Sequence, residues 1–355
     1  MSFALVALPL PLRRLFTYRV PAGLDAAALP GAPVEVPFHG RRARGILVER
    51  AAATPLADAD VRDLGRVLGP AVLTPHLLAL GRWVAEYYLA PPGEVLAALL
   101  PGGHEGFAGS RARRAAAEDR VLRLALPERV TLTPAQRAAV RVLETAVAAG
   151  GFQPFLLHGV TASGKTEVYL RAALAAREAG GQALVLVPEV ALAGQILAAF
   201  TARFGGRVGR LHSYLSVGER RRNWELARRG ALDVVVGARS AVFAPLPALK
   251  LIVVDEEHEP AYKQSEQLRY HGRDVAVRRA QLLGVPVVLG SATPSLETLA
   301  NAARGRYRRL ALPERVDRRS LPKVRIVDLR RDGAGAGVLS PPLKAALAER
   351  LARRE

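Results

Sequence analysis

The segment from His158 to Thr166 has the residue types of a loop that binds phosphate. It follows the pattern G-x-x-x-x-G-K-T, with Gly159, Gly164 and Lys165 at the fixed positions. An apolar run precedes it and a helix-forming run follows it, the context in which successive backbone N–H groups converge on an anion. In such loops the lysine neutralises phosphate charge and the threonine hydroxyl binds Mg²⁺. The sequence therefore predicts a site for a triphosphate with Mg²⁺; the alternative is a glycine-rich turn that arises by chance.

A cluster of carboxylates follows a second apolar run. Asp255, Glu256 and Glu257 come directly after Leu251–Val254. In an open α/β sheet, ligands bind at the carboxyl ends of the strands. We expect Asp255 to bind Mg²⁺ and Glu256 to orient and deprotonate an attacking water. The alternative is an acidic helix start that the helix dipole favours by itself.

These two motifs lie within a region, residues 132–310, where helical patterns alternate with runs that are apolar throughout. Such strands require a parallel sheet that is covered on both faces, so we predict a P-loop, doubly wound α/β domain. The predicted strands are Pro154–His158, Ala183–Val187, Val208–Leu211, Asp233–Gly237, Leu251–Val254 and Val285–Leu289. The predicted helices are Pro134–Ala149, Lys165–Ala179, Ala191–Phe204, Gly218–Arg229, Gly272–Leu283 and Ser295–Ala303.

Residues 1–100 read differently, as short strands separated by turn residues, which predicts a small β-barrel-like domain. A helix is predicted over Leu77–Tyr88, with Thr74 as its N-cap. Residues 101–131 are predicted to be a linker, and residues 311–355 a basic segment with a helix over Leu343–Arg354. The predicted strands are Phe3–Leu8, Phe16–Val20, Pro33–Phe38, Gly45–Glu49 and Val61–Leu68.

Composition narrows the function classes. The 355 residues contain no cysteine, which excludes disulfides, zinc or iron–sulfur sites built on thiolates and thiol nucleophiles. The formal charge of +19 favours a polyanionic partner such as nucleic acid, although a well-solvated surface is the alternative. We expect no membrane span, because no apolar run reaches ~20 residues, and no secretory signal. The predicted compartment is the cytoplasm.

Several motifs together resemble the PriA family of replication restart DNA helicases, in helicase superfamily 2. They are GVTASGKTEVY at Gly159–Tyr169, DEEHEPAYKQ at Asp255–Gln264 and GSATPSLET at Gly290–Thr298. Three shorter segments resemble further family motifs: LTPAQ at Leu132–Gln136, VPEVAL at Val187–Leu192 and GARS at Gly237–Ser240.

For the nucleotide site, the resemblance implies that Gln136 reads adenine and that the loop binds the phosphates. It also implies that His258, Ser291 and Thr293 relay the state of the nucleotide. A strand-to-helix cap is the alternative for the two hydroxyl residues. The residues predicted to bind the nucleotide are Gln136, Gly159, Thr161, Ser163, Gly164, Lys165, Thr166 and Glu167.

The N-terminal segments VALP, RLFTY and VPF resemble the domain with which the family holds the 3′ end of a DNA strand. Phe16 and Tyr18 are expected to stack on a terminal base, with close approach of the backbone near Gly40 and a basic contact from Arg62. The alternative is that these aromatic residues, which alternate along one strand, belong to the core. Thr17 stands where the family usually has an acidic residue.

The segment Tyr262–His271 resembles the aromatic-rich loop that senses DNA in the family. We expect base stacking or phosphate contacts from this loop. Arg239 is expected to contact the DNA backbone, and a solvated polar loop is the alternative for the segment. The residues predicted to contact DNA here are Tyr262, Lys263, Arg269 and Tyr270.

The resemblance implies an ATP-driven 3′-to-5′ helicase that recognises stalled replication forks and starts primosome assembly. The implied partners are forked and single-stranded DNA, single-stranded DNA-binding protein and primosome or helicase-loading proteins; the chain is expected to be a monomer without zinc. The family's winged helix, second helicase lobe and zinc module are not expected within these residues. We therefore expect ATP and DNA binding without unwinding; the alternatives are an ATP-independent scaffold and a different superfamily 2 translocase.

Overall fold

The computed structural model describes residues 2–101, 131–188, 190–316, 324–329 and 339–353. Most of the linker predicted for residues 101–131 lies outside the described residues, as does Glu189 of the VPEVAL segment. The chain forms two compact units, Met1–Val316 and Asp317–Glu355. In the second unit a helix spans Pro341–Ala352, close to the predicted Leu343–Arg354.

The N-terminal part of the first unit is a five-stranded antiparallel sheet with the order β2-β1-β4-β3-β5. Its edges are joined through Arg19 on β2: the Arg19 N–H donates to the Arg62 carbonyl, and the Leu64 N–H donates to the Arg19 carbonyl, both at 2.9 Å. This closure produces the barrel-like form that the strand pattern predicts. The strands are β1 (Ser2–Ala7), β2 (Phe16–Val20), β3 (Pro33–Phe38), β4 (Arg41–Ala51) and β5 (Arg66–Val67).

The predicted strand Val61–Leu68 is wrong in extent, because regular pairing covers only Arg66–Val67. The first half of the segment bonds to β2, whereas the Gly65 N–H donates to the Glu35 carbonyl on β3. The chain thus changes partner strands in the middle of the segment. A sequence pattern reports apolar alternation and cannot show which strand receives each hydrogen bond.

Two helices, α1 (Pro75–Tyr87) and α2 (Pro92–Ala98), follow the barrel. The buried side of α1 includes Leu77, Leu80 and Val84, which share one hydrophobic cluster with the α/β region that follows. The backbone of Thr74 is extended at the predicted N-cap position, but its side chain makes no capping hydrogen bond. The barrel and the α/β region are therefore packed together through α1.

A seven-stranded parallel sheet forms the rest of the first unit, with the order β12-β6-β11-β10-β7-β9-β8. Every strand pairing in it is parallel. The strand β12, Arg308–Leu312, escaped the sequence prediction because its first two residues are arginines. The other strands are β6 (Pro154–Gly159), β7 (Gln182–Leu186), β8 (Val208–Leu211), β9 (Val234–Gly237), β10 (Leu249–Val254) and β11 (Val287–Ser291).

Helices cover both faces of this sheet. Alternate residues of β10 enter different hydrophobic clusters: Ile252 and Val254 pack with α1 and α7, whereas Leu251 and Val253 pack with α3 and α4. The predicted doubly wound α/β fold is thus confirmed. The helices of this region are α3 (Pro134–Ala149), α4 (Lys165–Glu178), α5 (Val190–Phe204), α6 (Val217–Arg228), α7 (Gly272–Leu283) and α8 (Leu296–Ala303). The helix over Pro341–Ala352 is α9.

Candidate nucleotide site and nucleic-acid interface

The loop between β6 and α4 is compact and requires small residues. Gly164 has φ of +77°, and a Cβ there would lie 2.3 Å from the side-chain nitrogen Nε2 of Gln136. A Cβ on Gly159 would lie 2.4 Å from the Ser163 hydroxyl, a buried oxygen that has no hydrogen-bond partner among the described residues. The loop therefore closes on itself at the N-terminus of α4, where the helix dipole favours an anion.

Lys165 joins this loop to the acidic strand end. Its Nζ donates to the Gly159 carbonyl at 3.2 Å and lies 3.2 Å from Oε1 of Glu256. The two motifs are two strands apart, since β6 and β10 flank β11, and their carboxyl ends meet at one edge of the sheet. A phosphate bound in the loop would compete with the Glu256 carboxylate for the ammonium group.

Asp255 is buried beside this ion pair. Its Oδ1 accepts a hydrogen bond of 2.9 Å from the Tyr169 hydroxyl. Burial, reinforced by the neighbouring negative charge of Glu256, raises the pKa of Asp255 to about 6. Glu256 has φ of +42°, which is unusual for a residue with a Cβ. The acidic end of β10 thus holds two carboxylates whose environments differ.

The donor set fits Mg²⁺. Thr166 lies in the first turn of α4 and supplies a hydroxyl oxygen, and Asp255 supplies a carboxylate oxygen. Mg²⁺ typically takes one or two protein oxygens and completes its shell with phosphate and water. Among the described residues there is no cluster of three or more histidine, cysteine, aspartate or glutamate side chains that could hold a metal.

Gln136 binds the loop itself. It occupies the N3 position of the capping box that begins at Thr133, and its Oε1 accepts a hydrogen bond from the Thr133 N–H at 2.8 Å. Its Nε2 donates to the Ser163 carbonyl at 2.9 Å, and the side chain is buried. Gln136 therefore connects the start of α3 to the phosphate loop, and its predicted contact with adenine stays a prediction.

Thr161 and Glu167, which are also predicted to bind the nucleotide, differ from Gln136 in their contacts. Thr161 is exposed at the tip of the loop. The carboxylate of Glu167 pairs with Arg171 at 2.8 Å and with Arg203 at 3.5 Å, and its contact with the nucleotide stays a prediction. Its place in the first turn of α4 directs it towards α5 instead of the loop.

The three residues predicted to relay nucleotide state are in contact with one another. Nδ1 of His258 lies 2.8 Å from the Ser291 hydroxyl, and Nε2 lies 3.3 Å from the Thr293 hydroxyl. Nδ1 also lies 3.6 Å from Oε2 of Glu256. The histidine thus bridges the acidic strand end and the end of β11, while its relay role stays a prediction.

Glu257 is a residue whose importance the sequence prediction missed. It is completely buried, and its carboxylate accepts hydrogen bonds from Arg273, from the Ser295 N–H and hydroxyl, and from the Thr298 hydroxyl, at 2.7–3.0 Å. It therefore fixes α7 and the start of α8 to the end of β10. The sequence feature that could have indicated this role is that Glu257 is a third consecutive acidic residue after a strand that is apolar throughout.

The aromatic residues of the Tyr262–His271 segment do not present their rings to solvent. Tyr262 is completely buried, and Tyr270 is buried against Phe243, with ring centroids 5.2 Å apart. Their stacking on bases therefore stays a prediction, and it would require these buried rings to become exposed. Both belong to the hydrophobic cluster between the sheet and α7.

Arg239, which begins a short 3-10 helix just after β9, supports the same segment. Its guanidinium donates to the carbonyls of Ala261 and Lys263, at 2.8 and 2.9 Å. Lys263 and Arg269 are exposed, and Nζ of Lys263 donates to the Arg269 carbonyl. Arg239 thus holds the backbone of the segment, and the two exposed residues are its cations available to phosphate.

At the N-terminal barrel, Phe16 is half-buried and packs edge-to-face on Phe38, with centroids 5.1 Å apart. The Arg14 guanidinium lies 5.0 Å from the centroid of Phe16. Gly40 is exposed in the turn between β3 and β4, with φ of +73°. An aromatic ring, a cation and an accessible turn therefore lie within a short distance along this surface.

Tyr18 lies in the core beneath this surface, and its hydroxyl donates to the Pro37 carbonyl at 3.1 Å. Phe16 and Tyr18 lie on the same face of β2, and the Tyr18 ring is the more deeply buried of the two. Its stacking on a base stays a prediction. Burial raises the pKa of Tyr18, and the charge of the exposed Arg62 opposes this effect. Arg62 thus lies near Tyr18, as a surface cation at this part of the barrel.

In comparisons with known proteins, the N-terminal barrel and the α/β region each match a protein family. The family described as the 3′ DNA-binding domain of PriA matches residues 5–101, and the DEAD/DEAH box helicase family matches residues 133–302. The replication restart protein PriA of Treponema pallidum is 37% identical over 327 residues, which are 91% of this chain. The chain belongs to the PriA family. PriA of Bacillus subtilis is 44% identical over 230 residues, or 64% of this chain.

The alignments cover 48% of the Treponema PriA and 29% of the Bacillus PriA, so the chain spans less than half of the length of these relatives. Among solved structures, RecG bound to a three-way DNA junction is 25% identical, with a TM-score of 0.41 over 53% of this chain and 24% of that chain. In the part of the chain that the structure describes, no helix is both long and apolar enough to cross a membrane.

Proposed function

We propose that this chain is the ATP- and DNA-binding part of a 3′-to-5′ replication restart helicase that acts at stalled forks and starts primosome assembly. The observation that carries the proposal is the contact of 3.2 Å between Lys165 and Glu256, which places a phosphate loop against an acidic strand end. The PriA and DEAD/DEAH box matches support it. We further propose that it works as a monomer in the cytoplasm with single-stranded DNA-binding and helicase-loading proteins.

In this proposal the ion pair changes partners when ATP binds. The ammonium of Lys165 moves from Glu256 to the β- and γ-phosphates, and the freed carboxylate can accept a proton from the attacking water. Thr166 and Asp255 are the residues that would hold Mg²⁺, which would supply positive charge next to the phosphates. The contact of His258 with Glu256 and with the end of β11 makes the strand end sensitive to that change.

On the barrel, the half-buried ring of Phe16 and the turn at Gly40 would receive the last nucleotide of a 3′ end. Arg62 supplies positive charge near Tyr18. Stacking on one aromatic ring is tolerant of base identity, so recognition of the end would depend on the sugar and on the backbone approach. The exposed Lys263 and Arg269 would contact phosphates at the α/β region.

The nucleotide part is tested with a fluorescent ATP analogue in the presence of Mg²⁺. Lys165→Ala is expected to weaken binding about 10- to 100-fold, because charged hydrogen bonds contribute about 1.5–3 kcal/mol. Lys344→Ala, in the second unit, is the control and should bind as the unchanged chain does. DNA binding without any nucleotide binding would contradict the proposal and favour an ATP-independent scaffold.

The DNA part is tested with single-stranded oligonucleotides that end in a 3′ hydroxyl or a 3′ phosphate. The unchanged chain should bind the hydroxyl end more tightly, and Arg62→Ala should weaken binding to both. Fluorescence anisotropy measures each affinity. Equal affinity for the two ends would contradict recognition of the 3′ end and leave only general DNA binding.

A further inference from the structure

Asp255 is held from two sides by buried tyrosines. The hydroxyl of Tyr169, on α4, donates to its carboxylate oxygen Oδ1 at 2.9 Å. The hydroxyl of Tyr262 donates to its main-chain carbonyl at 2.7 Å. Both tyrosine side chains are completely buried. The side chain and the backbone of Asp255 are thus fixed separately, by residues from two different segments.

The position of the Tyr169 hydroxyl depends on a glycine of the neighbouring strand. A Cβ on Gly290 would lie 1.6 Å from this hydroxyl oxygen and 2.7 Å from the ring carbon that carries it. No side chain fits between β11 and the tyrosine. Gly290 therefore allows the hydroxyl to reach Asp255, and any larger residue there must displace it.

When a hydrogen bond holds one oxygen of a carboxylate, the orientation of the whole carboxylate group is restricted. Tyr169 anchors Oδ1, and the Glu256 backbone N–H also donates to this carboxylate, so its orientation at the end of β10 is fixed. Groups that hydrogen-bond to a metal-binding carboxylate orient it and strengthen metal binding, and their loss typically costs about 10- to 100-fold in metal affinity. Neither tyrosine needs to touch the nucleotide for this effect.

We propose that Tyr169 and Tyr262 are positioning residues for Asp255 and that they set how strongly Mg²⁺ increases the affinity for nucleotide. The inference rests on the proposed function, since it takes Asp255 as the Mg²⁺ ligand. It adds that the segment Tyr262–His271 acts on the nucleotide site through the Tyr262 hydroxyl, which donates to the main-chain carbonyl of Asp255, the residue directly after β10.

The experiment measures the affinity of a fluorescent ATP analogue with Mg²⁺ and with EDTA. The ratio of the two affinities is the gain that Mg²⁺ provides. Tyr169→Phe should reduce this gain about 10-fold and leave the affinity in EDTA unchanged. Tyr307→Phe removes a tyrosine hydroxyl from the same unit, where Asn301 is its side-chain partner, and should keep the full gain.

Gly290→Ala tests the same contact from the opposite side. It should lower the Mg²⁺ gain as Tyr169→Phe does, because the added Cβ displaces the hydroxyl. Thermal unfolding followed by circular dichroism shows whether each variant is folded. If Gly290→Ala does not fold, Tyr169→Phe still decides the matter, since phenylalanine preserves the shape of the ring.

The outcomes separate this inference from the proposed function. A wild-type gain in Tyr169→Phe overturns the role of the carboxylate anchor, and a wild-type gain in Tyr262→Phe overturns the role of the backbone anchor. Equal weakening with Mg²⁺ and with EDTA also overturns it, because that result indicates a general structural role. If Lys165→Ala binds nucleotide normally, the proposed function fails as well.

Discussion

The carboxylate of Glu257 is the most heavily engaged acidic group near the strand end. It is completely buried and pairs with Arg273 at 3.0 Å. Glu257→Ala would leave Arg273 with Asp274 but without its buried partner, and would remove the acceptor of the Ser295 N–H and hydroxyl and of the Thr298 hydroxyl. We therefore expect a loss of about 3–5 kcal/mol in the free energy of unfolding. Urea denaturation measures this loss. The control Glu259→Ala changes a more exposed acid, and an equal loss in both variants would contradict the prediction.

His76 makes stability depend on pH. It lies between Thr74 and the buried Arg279, whose guanidinium donates to its Nε2 at 3.2 Å. Burial, together with the charge of Arg279, lowers the pKa of His76 to about 4. The unfolded chain binds the proton more tightly, so the stabilisation is complete above the unfolded pKa of 6.5 and is lost as pH falls towards 4.

We expect the free energy of unfolding to fall by about 2 kcal/mol between about pH 7 and pH 5 because of His76. The measurement compares urea denaturation of the unchanged chain with that of His76→Gln at the two pH values. The variant should lose less stability on acidification than the unchanged chain does. His39→Gln, which changes an exposed histidine, should behave as the unchanged chain; a similar effect of both substitutions would contradict the assignment.

At the scale of elements, α3 and the phosphate loop are coupled through Gln136. Its amide donates to the Ser163 carbonyl while its oxygen completes the cap of α3. Gln136→Ala removes both bonds, so the loop loses its support whatever base the nucleotide carries. We expect affinities for ATP and GTP analogues to fall by the same factor, about 10-fold.

The adenine-reading role that the family resemblance implies for Gln136 gives a different result. In that case the affinity for the ATP analogue would fall and that for the GTP analogue would not. Gln153→Ala is a useful control, since this glutamine bonds weakly to the Gly150 carbonyl, at 3.5 Å, at the other end of α3. It should leave both affinities unchanged.

The sequence predicts a residue's role well when the strand or helix that positions the residue lies next to it in the chain, and poorly when its contacts come from distant segments. The loop at Lys165 and the acidic end at Asp255 were predictable, because each motif carries its own flanking strand or helix. The burial of Tyr18 was one of the two alternatives that the sequence left open for the aromatic residues of β2. The burial of Tyr262 was not predictable, since an aromatic residue in a polar segment packs on whatever the tertiary fold brings to it. The bonds of Glu257 depend on two helices that follow it in the chain, so no local pattern reveals them.

At the scale of the whole molecule, the barrel and the α/β region share one hydrophobic cluster. Ile46 of β4, Leu80 of α1 and Ala276 of α7 all belong to it. Tyr88 adds polar contact: its hydroxyl accepts from the His271 N–H at 3.1 Å, and Nζ of Lys263 lies 5.4 Å from its ring centroid. The segment proposed to act on Asp255 is therefore held from the side of α1 as well.

The charge of +19 leads to a prediction about where DNA binds. Each phosphate that a protein neutralises on single-stranded DNA contributes about −0.7 to the slope of log affinity against log salt concentration. If the exposed Arg269 contacts one phosphate, Arg269→Ala should make the slope shallower by about 0.7. Arg353, on the second unit, pairs with Glu349 at 2.7 Å, and Arg353→Ala should leave the slope unchanged.

Fluorescence anisotropy titrations at several salt concentrations give these slopes. A localised interface on the Tyr262–His271 segment predicts that the two substitutions differ, because only one of them removes a phosphate contact. Binding through the net charge alone predicts that they weaken DNA binding equally, since each removes one positive charge. The second result would contradict a defined DNA path over this segment, while leaving the nucleotide site as the structure describes it.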